Sequence, residues 1–531
     1  MLSPNCRHYI ANVHADDWCL IILSPFEGML IRHQSSAKGI IDVGIRKAYL
    51  MAALEQYCQI VISVLMIFVI SRILGSSTIG AAVIGLGIGT IAFTIRELAT
   101  SEFLIQRANV STDDIRTATT LILGLSMIIA AVLCTIAPQI AGFYREPQLT
   151  RFIHVISVAG VLDAFSGPAS ALIRRDMQFG IATRINTASG IVYALGVVVA
   201  ALLDAGIMSF AWGTLAGAVV RMMLSFHARP LLWMFRPCLR GTRAIIAFGG
   251  YKGASSVLDR AYEALPQLVL GHIMPMSNVG LFNRANLVCG LPDKFLLSAI
   301  FAVAFPAFSA EVRNNREIKP SYLRLMAYIS VLYWPTTLML GVLAHPVVLL
   351  ALGSEWVSVV PILQLMAVAA FFSVPCILTF PILVALGANR HACEANFVGR
   401  GLSTVIICAA SFQGLTALAL SQFISLPFQA YISILYVRKH VPFTWAELGA
   451  VFGRSAIASA LSLTVPLAVL ALNGFDSRLS IIQVIVCCTS CAVGWSLGLL
   501  VIAHPILEEF TLLTGRSIPH LSIVRLRTSV K

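Results

Sequence analysis

DRAYEALPQLVLGHIMPMSNVGLFNRANLVCGLPDKFLLSAIFAVAFPAFS, residues 259–309, is apolar enough to be buried in a membrane, yet it carries Asp259, Arg260, Glu263, Arg284, Asp293 and Lys294. A charged side chain at the centre of a membrane helix costs roughly 2.5–3.5 kcal/mol on insertion scales unless it meets a partner or water. So many charges in one helical hairpin predict a wet interior surface, with Asp259, Arg260 and Arg284 facing a hydrated cavity. Asp293 and Lys294, beside Pro292, suit equally a helix end from which they snorkel to the interface.

The rest of the chain fits that setting. Its 531 residues are 58% hydrophobic and only 11% charged, with a mean hydropathy of +0.87, whereas a soluble protein carries about 25% charged residues. This is the composition of an integral membrane protein. The net charge of +13 would suit nucleic acid only with a basic stripe interleaved with aromatics, and no such stripe is present. Cys488 and Cys491 form a CxxC without a second pair or a histidine cluster nearby, which argues for helix packing over a metal site. GLGIGT at 85–90 lies inside an apolar run, with no strand before it and no Lys-Ser/Thr after it, so it reads as packing and not as a phosphate loop. No cofactor motif emerges.

A membrane helix needs about 20 mainly apolar residues. Candidate spans fall near 49–70, 79–98, 117–138, 152–173, 184–204, 207–226, 254–273, 279–303, 324–344, 359–386, 395–412, 415–437, 453–472 and 480–503. The expected class is therefore an all-α, polytopic membrane protein of about fourteen transmembrane helices. Residues 1–43 read as an N-terminal tail without signal-peptide order, and Met29 is an alternative start of translation. Arg72, Arg145, Arg151 and Arg478 fall in loops on one side, while most other basic residues fall on the opposite side. The positive-inside rule places both termini in the cytoplasm. Outward loops are short, leaving no room for a sizeable external catalytic domain.

The inward segment 228–252 is the longest and most basic connection between spans, and it reads as a linker between two halves. An internal repeat supports that division. Ile73-Leu74 and Ile79-Gly80 match Ile273-Met274 and Val279-Gly280 at an offset of 200, and Pro138 and Gly206-Ile207 match Pro346 and Gly414-Leu415 at 208. The expected units are two pseudo-symmetric six-helix bundles, 44–227 and 253–440, followed by two further helices at 441–505 and a cytoplasmic tail at 506–531. Parallel repeats of this kind put a substrate site at their interface near the midplane.

SRILGSSTIG at 71–80, followed by IRELATSEFLIQRANVSTDD at 95–114, resembles the first hairpin of bacterial polysaccharide exporters and lipid-linked oligosaccharide flippases. The carriers are Arg72, Leu74-Gly75, Gly80 and Leu104-Ile105-Gln106-Arg107. Asp259, Gly271, Gly280, Asn283-Arg284-Ala285 and the Phe305-Pro306-Ala307-Phe308-Ser309 run extend the likeness through the seventh and eighth spans, although Phe282 stands where the family pattern has Tyr. The resemblance covers roughly residues 44–440, and its superfamily also contains multidrug antiporters and peptidoglycan-precursor flippases. It implies a V-shaped, alternating-access lumen and no enzymatic activity. The implied task is translocation of a polyprenyl-diphosphate-linked repeat unit for exopolysaccharide or surface polysaccharide, in the bacterial inner membrane. Membrane lipids, a polysaccharide polymerase and export machinery would be its partners. A cation-coupled drug exporter and a membrane polymerase or ligase remain as alternatives.

A diphosphate head calls for arginine, whose planar fork pairs bidentately with phosphate oxygens. The lumen candidates for substrate binding are Arg260, Arg284 and Asn283 in the second half, with Arg72, Arg96 and Glu55 in the first. Arg96 beside Glu97 also suits an interfacial ion pair. Asp259 and Glu263, one helical turn apart and so on one face, suit either a coupling cation or proton, or the neutralisation of Arg260 and Arg284. Pro168, with Asp163, Ser166 and Gly167, marks a candidate break in the fourth span, and Pro375 and Pro381 mark one in the tenth. Each break serves as a bending point or a packing kink.

Overall fold

The computed structural model describes residues 41–99, 110–297 and 316–507, together with residues 103, 104, 304, 308, 311, 312 and 314. The N-terminal tail before residue 41, with Met29, lies outside the described residues, as do most of the C-terminal tail and the last residues of the eighth span. The regular structure among the described residues is helical.

Fourteen segments correspond to the expected spans. They are α1 (Ile41–Ile73), α2 (Ser76–Thr94), α3 (Thr112–Phe143), α4 (Gln148–Arg175), α5 (Phe179–Leu202), α6 (Met208–Ala228), α7 (Thr242–Ile273) and α8 (Met276–Cys289), then α9 (Lys319–Val342), α10 (Ser354–Ala385), α11 (Asn389–Ser411), α12 (Leu415–Arg438), α13 (Trp445–Leu472) and α14 (Ile481–Ile502). Eleven helices among the described residues are long and apolar enough to cross a membrane by length and composition. The remaining segments are α7 and α11, whose spans carry more polar residues, and α8, whose described α-helix is Met276–Cys289.

The sequence repeat is also a packing repeat. In the first half α1 packs on α5, α2 and α3 on α4, α4 on α6, and α5 on α6. The counterparts recur, with α7 on α11, α8 and α9 on α10, α10 on α12, and α11 on α12. The two halves meet where α2 crosses α8 and where α7 packs along α2 and the turn at Ile95–Ala99 that follows it. A Cβ on Gly80 would overlap the Met276 carbonyl oxygen, and a Cβ on Gly280 would overlap the carbonyl oxygen of Ser76. Only glycine permits so close a crossing, and the two reciprocal contacts fall at equivalent places in the repeat.

Further links between the halves gather at this far end of the bundle, opposite the end at which α1 begins. Arg72 Nη2 donates to the Leu350 carbonyl at 2.7 Å, and buried Trp356 donates from Nε1 to the Ser71 carbonyl at 2.7 Å. His272 stacks on Phe143 with ring centroids 3.8 Å apart, and the Tyr144 hydroxyl donates to the Leu268 carbonyl. The segment between α6 and α7 is strapped to α3. Arg116 and Thr117 donate to the carbonyls of Arg236 and Arg240, and Cys238 N–H donates to Thr120 Oγ1.

The last two helices attach through α9. Lys319 Nζ lies 2.7 Å from Glu447, Ser330 Oγ donates to Ser455 Oγ, and Trp495 Nε1 donates to the Val331 carbonyl. Helix α4 runs without interruption through Pro168, so the expected break in the fourth span is not there. A proline late in a long helix gives up one backbone bond without ending it when neighbouring helices hold the segment. The tenth span does break. Between Ala370 and Ala385 it passes through a 3₁₀ turn and two short helices, with Pro375 in the first turn of one and Pro381 inside the next.

The α2–α8 crossing yields a direct test. Gly280→Val should destabilise the purified protein by about 1–3 kcal/mol, the usual cost of overpacking, as read by thermal unfolding in detergent. An unchanged melting temperature would contradict the close approach.

Candidate functional site

Helix α7 carries Asp259, Glu263 and Gln267 at four-residue spacing. Each step of four advances about 400° around a helix of 3.6 residues per turn, so the polar stripe drifts by some 40° per step. Its ends therefore face different neighbours. Asp259 turns to α11, where its Oδ1 accepts from Arg400 Nη1 at 2.7 Å and from Asn396 Nδ2 at 2.8 Å. Gln267 turns to α8, where its Oε1 accepts from Asn283 Nδ2 at 3.0 Å. Glu263 pairs with Arg260 on its own helix at 2.9 Å, and both side chains are about half exposed (57% and 50%).

These contacts correct one expectation. Asp259 is neutralised by Arg400, not by Arg260 or Arg284, because the packing of α7 on α11 brings that guanidinium within reach. Asn283 is held by Gln267, and so ties α8 to α7.

Arg284 has no acidic partner among the described residues. It is only 4% exposed, its guanidinium lies 5.8 Å from the Trp356 ring, and its Nε makes no hydrogen bond. The structure places it in packed protein close to the far-end closure, not on an open hydrated wall. Arg72, bound to the Leu350 carbonyl, is likewise part of the closure.

In the first half, Arg96 does not pair with Glu97. Its Nη2 lies 2.5 Å from Asp163 Oδ2 on α4, and its Nη1 donates to the Gly160 carbonyl at 3.1 Å. Arg221 on α6 donates from Nη1 to the other oxygen of Asp163 at 2.9 Å. Two arginines thus share one carboxylate, and Arg221 keeps 40% of its side chain exposed. Charges on membrane-spanning helices that remain exposed must face water, not lipid, to avoid the insertion cost.

Glu55 on α1 accepts from Asn186 Nδ2 on α5 at 2.6 Å and lies 3.8 Å from Arg174. Glu55 and Asn186 correspond to Asp259 and Asn396 at offsets of 204 and 210. The first helix of each half therefore presents an acid to an asparagine and an arginine.

The sequence reasoning missed Arg221, Asn186, Asn396 and the partnership of Arg400. Each is a polar residue within a span, and matching the acids of the first and seventh spans to amides in the fifth and eleventh would have found the asparagines. Among the described residues no three metal-ligating side chains come together.

The fold and this interior define a polytopic, all-helical membrane protein built from two related bundles around paired and unpaired charges. The sequence pattern of the polysaccharide biosynthesis protein family matches residues 69–361, over half of the chain, and the chain belongs to that family. It is similar to the lipopolysaccharide biosynthesis protein WzxC of Escherichia coli (strain K12), 26% identical over 305 residues, 56% of this chain and 61% of that protein. It is also similar to the succinoglycan biosynthesis transport protein ExoT of Rhizobium meliloti (strain 1021), 24% identical over 323 residues, 60% and 65% of the two chains. The match thus spans less than two thirds of either relative.

Two solved structures share the fold. The lipid II flippase MurJ, in an inward closed conformation, superposes with a TM-score of 0.67 at 10% identity, over 84% of this chain and 98% of that one. An inward-facing multidrug resistance transporter of the MATE family, of the MOP superfamily, superposes with a TM-score of 0.58 at 15% identity, over 74% and 96%.

The shared carboxylate gives the next expectation. Asp163→Asn leaves Arg96 and Arg221 facing each other and should destabilise the fold by about 1–3 kcal/mol, the cost of stranding a partly buried partner. Adding Arg221→Gln should recover part of that loss in thermal unfolding. A double variant no more stable than Asp163→Asn alone would contradict the cluster.

Proposed function

We propose that this protein flips polyprenyl-diphosphate-linked oligosaccharide repeat units across the bacterial inner membrane, for exopolysaccharide or surface polysaccharide assembly. The observation that carries this reading is a group of interior arginines, Arg96, Arg221 and Arg284, served among the described residues by one carboxylate. Arg96 and Arg221 share Asp163, and Arg284 pairs with no acid among the described residues. A diphosphate supplies the missing negative charge, and arginine forks suit its oxygens. Family membership supports the same reading, as do relatives named for lipopolysaccharide biosynthesis and succinoglycan transport.

On this account the termini are cytoplasmic, following the positive-inside rule. The sealed far end then faces outward. The bundles at 44–227 and 253–440 rock about the α2–α8 crossing, the linker at 228–252 rides with the first, and the helices at 441–505 follow α9. Arg284, buried behind the closure, meets the diphosphate when the far end opens, and the broken α10 supplies backbone able to adjust. The protein is a transporter and not an enzyme, and it hands its product to a polymerase and export machinery on the outer side.

The cation-coupled exporter is less well supported, because Asp259 and Glu263, the acids that would bind a coupling ion, are each occupied by an arginine.

Cells lacking the protein should accumulate lipid-linked repeat units on the inner leaflet and lose polymer. Unchanged polymer with heightened sensitivity to cationic drugs would favour the exporter instead. In the same cells Arg284→Ala should abolish export while the protein stays folded and inserted, since a charge-assisted contact is worth about 1.5–3 kcal/mol. Normal export by stably expressed Arg284→Ala would rule out an essential role for that residue.

A further inference from the structure

Inside the second bundle, α7, the broken α10, α11 and α12 enclose a cavity of about 210 Å³, whose lining includes Asp259, Asn396, Arg400, Gln429 and Phe380. We infer that this cavity is a sugar-binding subsite, receiving a ring of the glycan head group apart from the arginines offered to the diphosphate. The inference rests on the flippase function proposed above and gives its substrate site a second part.

Charge comes first. Asp259 and Arg400 cancel, so the cavity has no net attraction for a diphosphate, and the Asp259 carboxylate would oppose one. A metal cation is equally disfavoured, because a guanidinium already occupies that carboxylate at 2.7 Å. What remains is a neutral surface rich in paired donors and acceptors.

Both protein hydrogen bonds to Asp259 land on Oδ1, which leaves Oδ2 as an acceptor. Arg400 uses Nη1 on that bond, and its other N–H groups carry no hydrogen bond among the described residues. Gln429 donates from Nε2 to the Tyr262 hydroxyl at 3.0 Å, leaving its carbonyl oxygen as an acceptor. Sugar hydroxyls donate and accept at adjacent carbons, and an acceptor beside a fork of donors suits such a pair. Phe380 is 60% exposed, so its ring is available to the apolar face of a pyranose.

Access follows from exposure. The Asp259 and Arg400 side chains are 38% and 40% exposed within membrane-spanning helices, so water reaches them, given the cost of facing lipid. The irregular backbone of α10 borders the same space at Cys376 and Thr379. Non-helical backbone at membrane depth is tolerated where it is packed in protein or lines such a cavity. At the matching place in the first bundle, Gln59 donates from Nε2 to the Asn186 carbonyl at 2.9 Å. The repeat has kept a polar cluster on both sides.

The test uses the full-length protein in nanodiscs. The probes are undecaprenyl diphosphate and a panel bearing one glucose, galactose or N-acetylglucosamine, with binding read by native mass spectrometry. Wild type should bind at least one sugar-bearing lipid about tenfold more tightly than the bare lipid, about 1.4 kcal/mol. Asn396→Ala and Gln429→Ala should each erase that preference and leave bare-lipid affinity unchanged. The subsite is overturned if wild type binds every lipid equally, if the variants keep the preference, or if they lose bare and sugar-bearing lipids in parallel. If wild type binds none of these lipids, the flippase function itself fails, and the subsite with it.

Discussion

The crossing of α2 and α8 governs this structure. Gly80 and Gly280 each meet the backbone at the start of the opposite helix, at a separation no larger residue would allow. Hydrophobic packing alone gives little drive for helices to associate in lipid, where the tails are as apolar as leucine, so small residues and polar contacts decide which surfaces meet. Here they do so at the crossing, where Arg72, Trp356, His272 and Tyr144 add ring contacts and bonds to backbone carbonyls, while α7 packs along α2 toward the other end.

With the halves joined there, the placement of charge inside each becomes the second constraint. The acid of α1 and the acid of α7 both turn to an asparagine and an arginine of their own bundle, which tethers α1 to α5 and α7 to α11. These clusters contribute little net charge. Other arginines are less fully compensated: two share Asp163, and Arg284 lies against Trp356 with no carboxylate partner among the described residues. A neutral polar cavity in one bundle and these arginines outside it divide the interior between two kinds of ligand chemistry. An amphiphile with a glycan and a diphosphate presents both.

Much of the fold could be read from composition and repeats. Long apolar runs located the spans, and the match of Ile79-Gly80 with Val279-Gly280 marked the pair of glycines that form the crossing. In the hairpin at 259–309 Glu263 does pair with Arg260, as its spacing suggests, but the partner of Asp259 lies on another helix. Sequence spacing put Asp259 with Glu263 and suggested Arg260 and Arg284 as counter-charges, whereas the true partner, Arg400, lies on α11. Distant pairings of this sort depend on how helices pack, and spacing along one helix carries no information about them. Pro168 misled for a related reason. A proline signals a lost backbone bond, and whether the helix breaks there depends on its packing, which spacing along one helix does not reveal.

The central claim, that this protein moves lipid-linked glycans between leaflets, is tested most directly by reconstitution. Proteoliposomes holding the purified chain would be loaded with a polyprenyl-diphosphate sugar carrying a fluorophore on its head group, and a membrane-impermeant quencher added outside. Flipping predicts that the protected fluorescence falls with time in a protein-dependent manner, at a rate well above that of empty vesicles. Protected fluorescence that stays constant in intact, protein-containing vesicles would contradict the account.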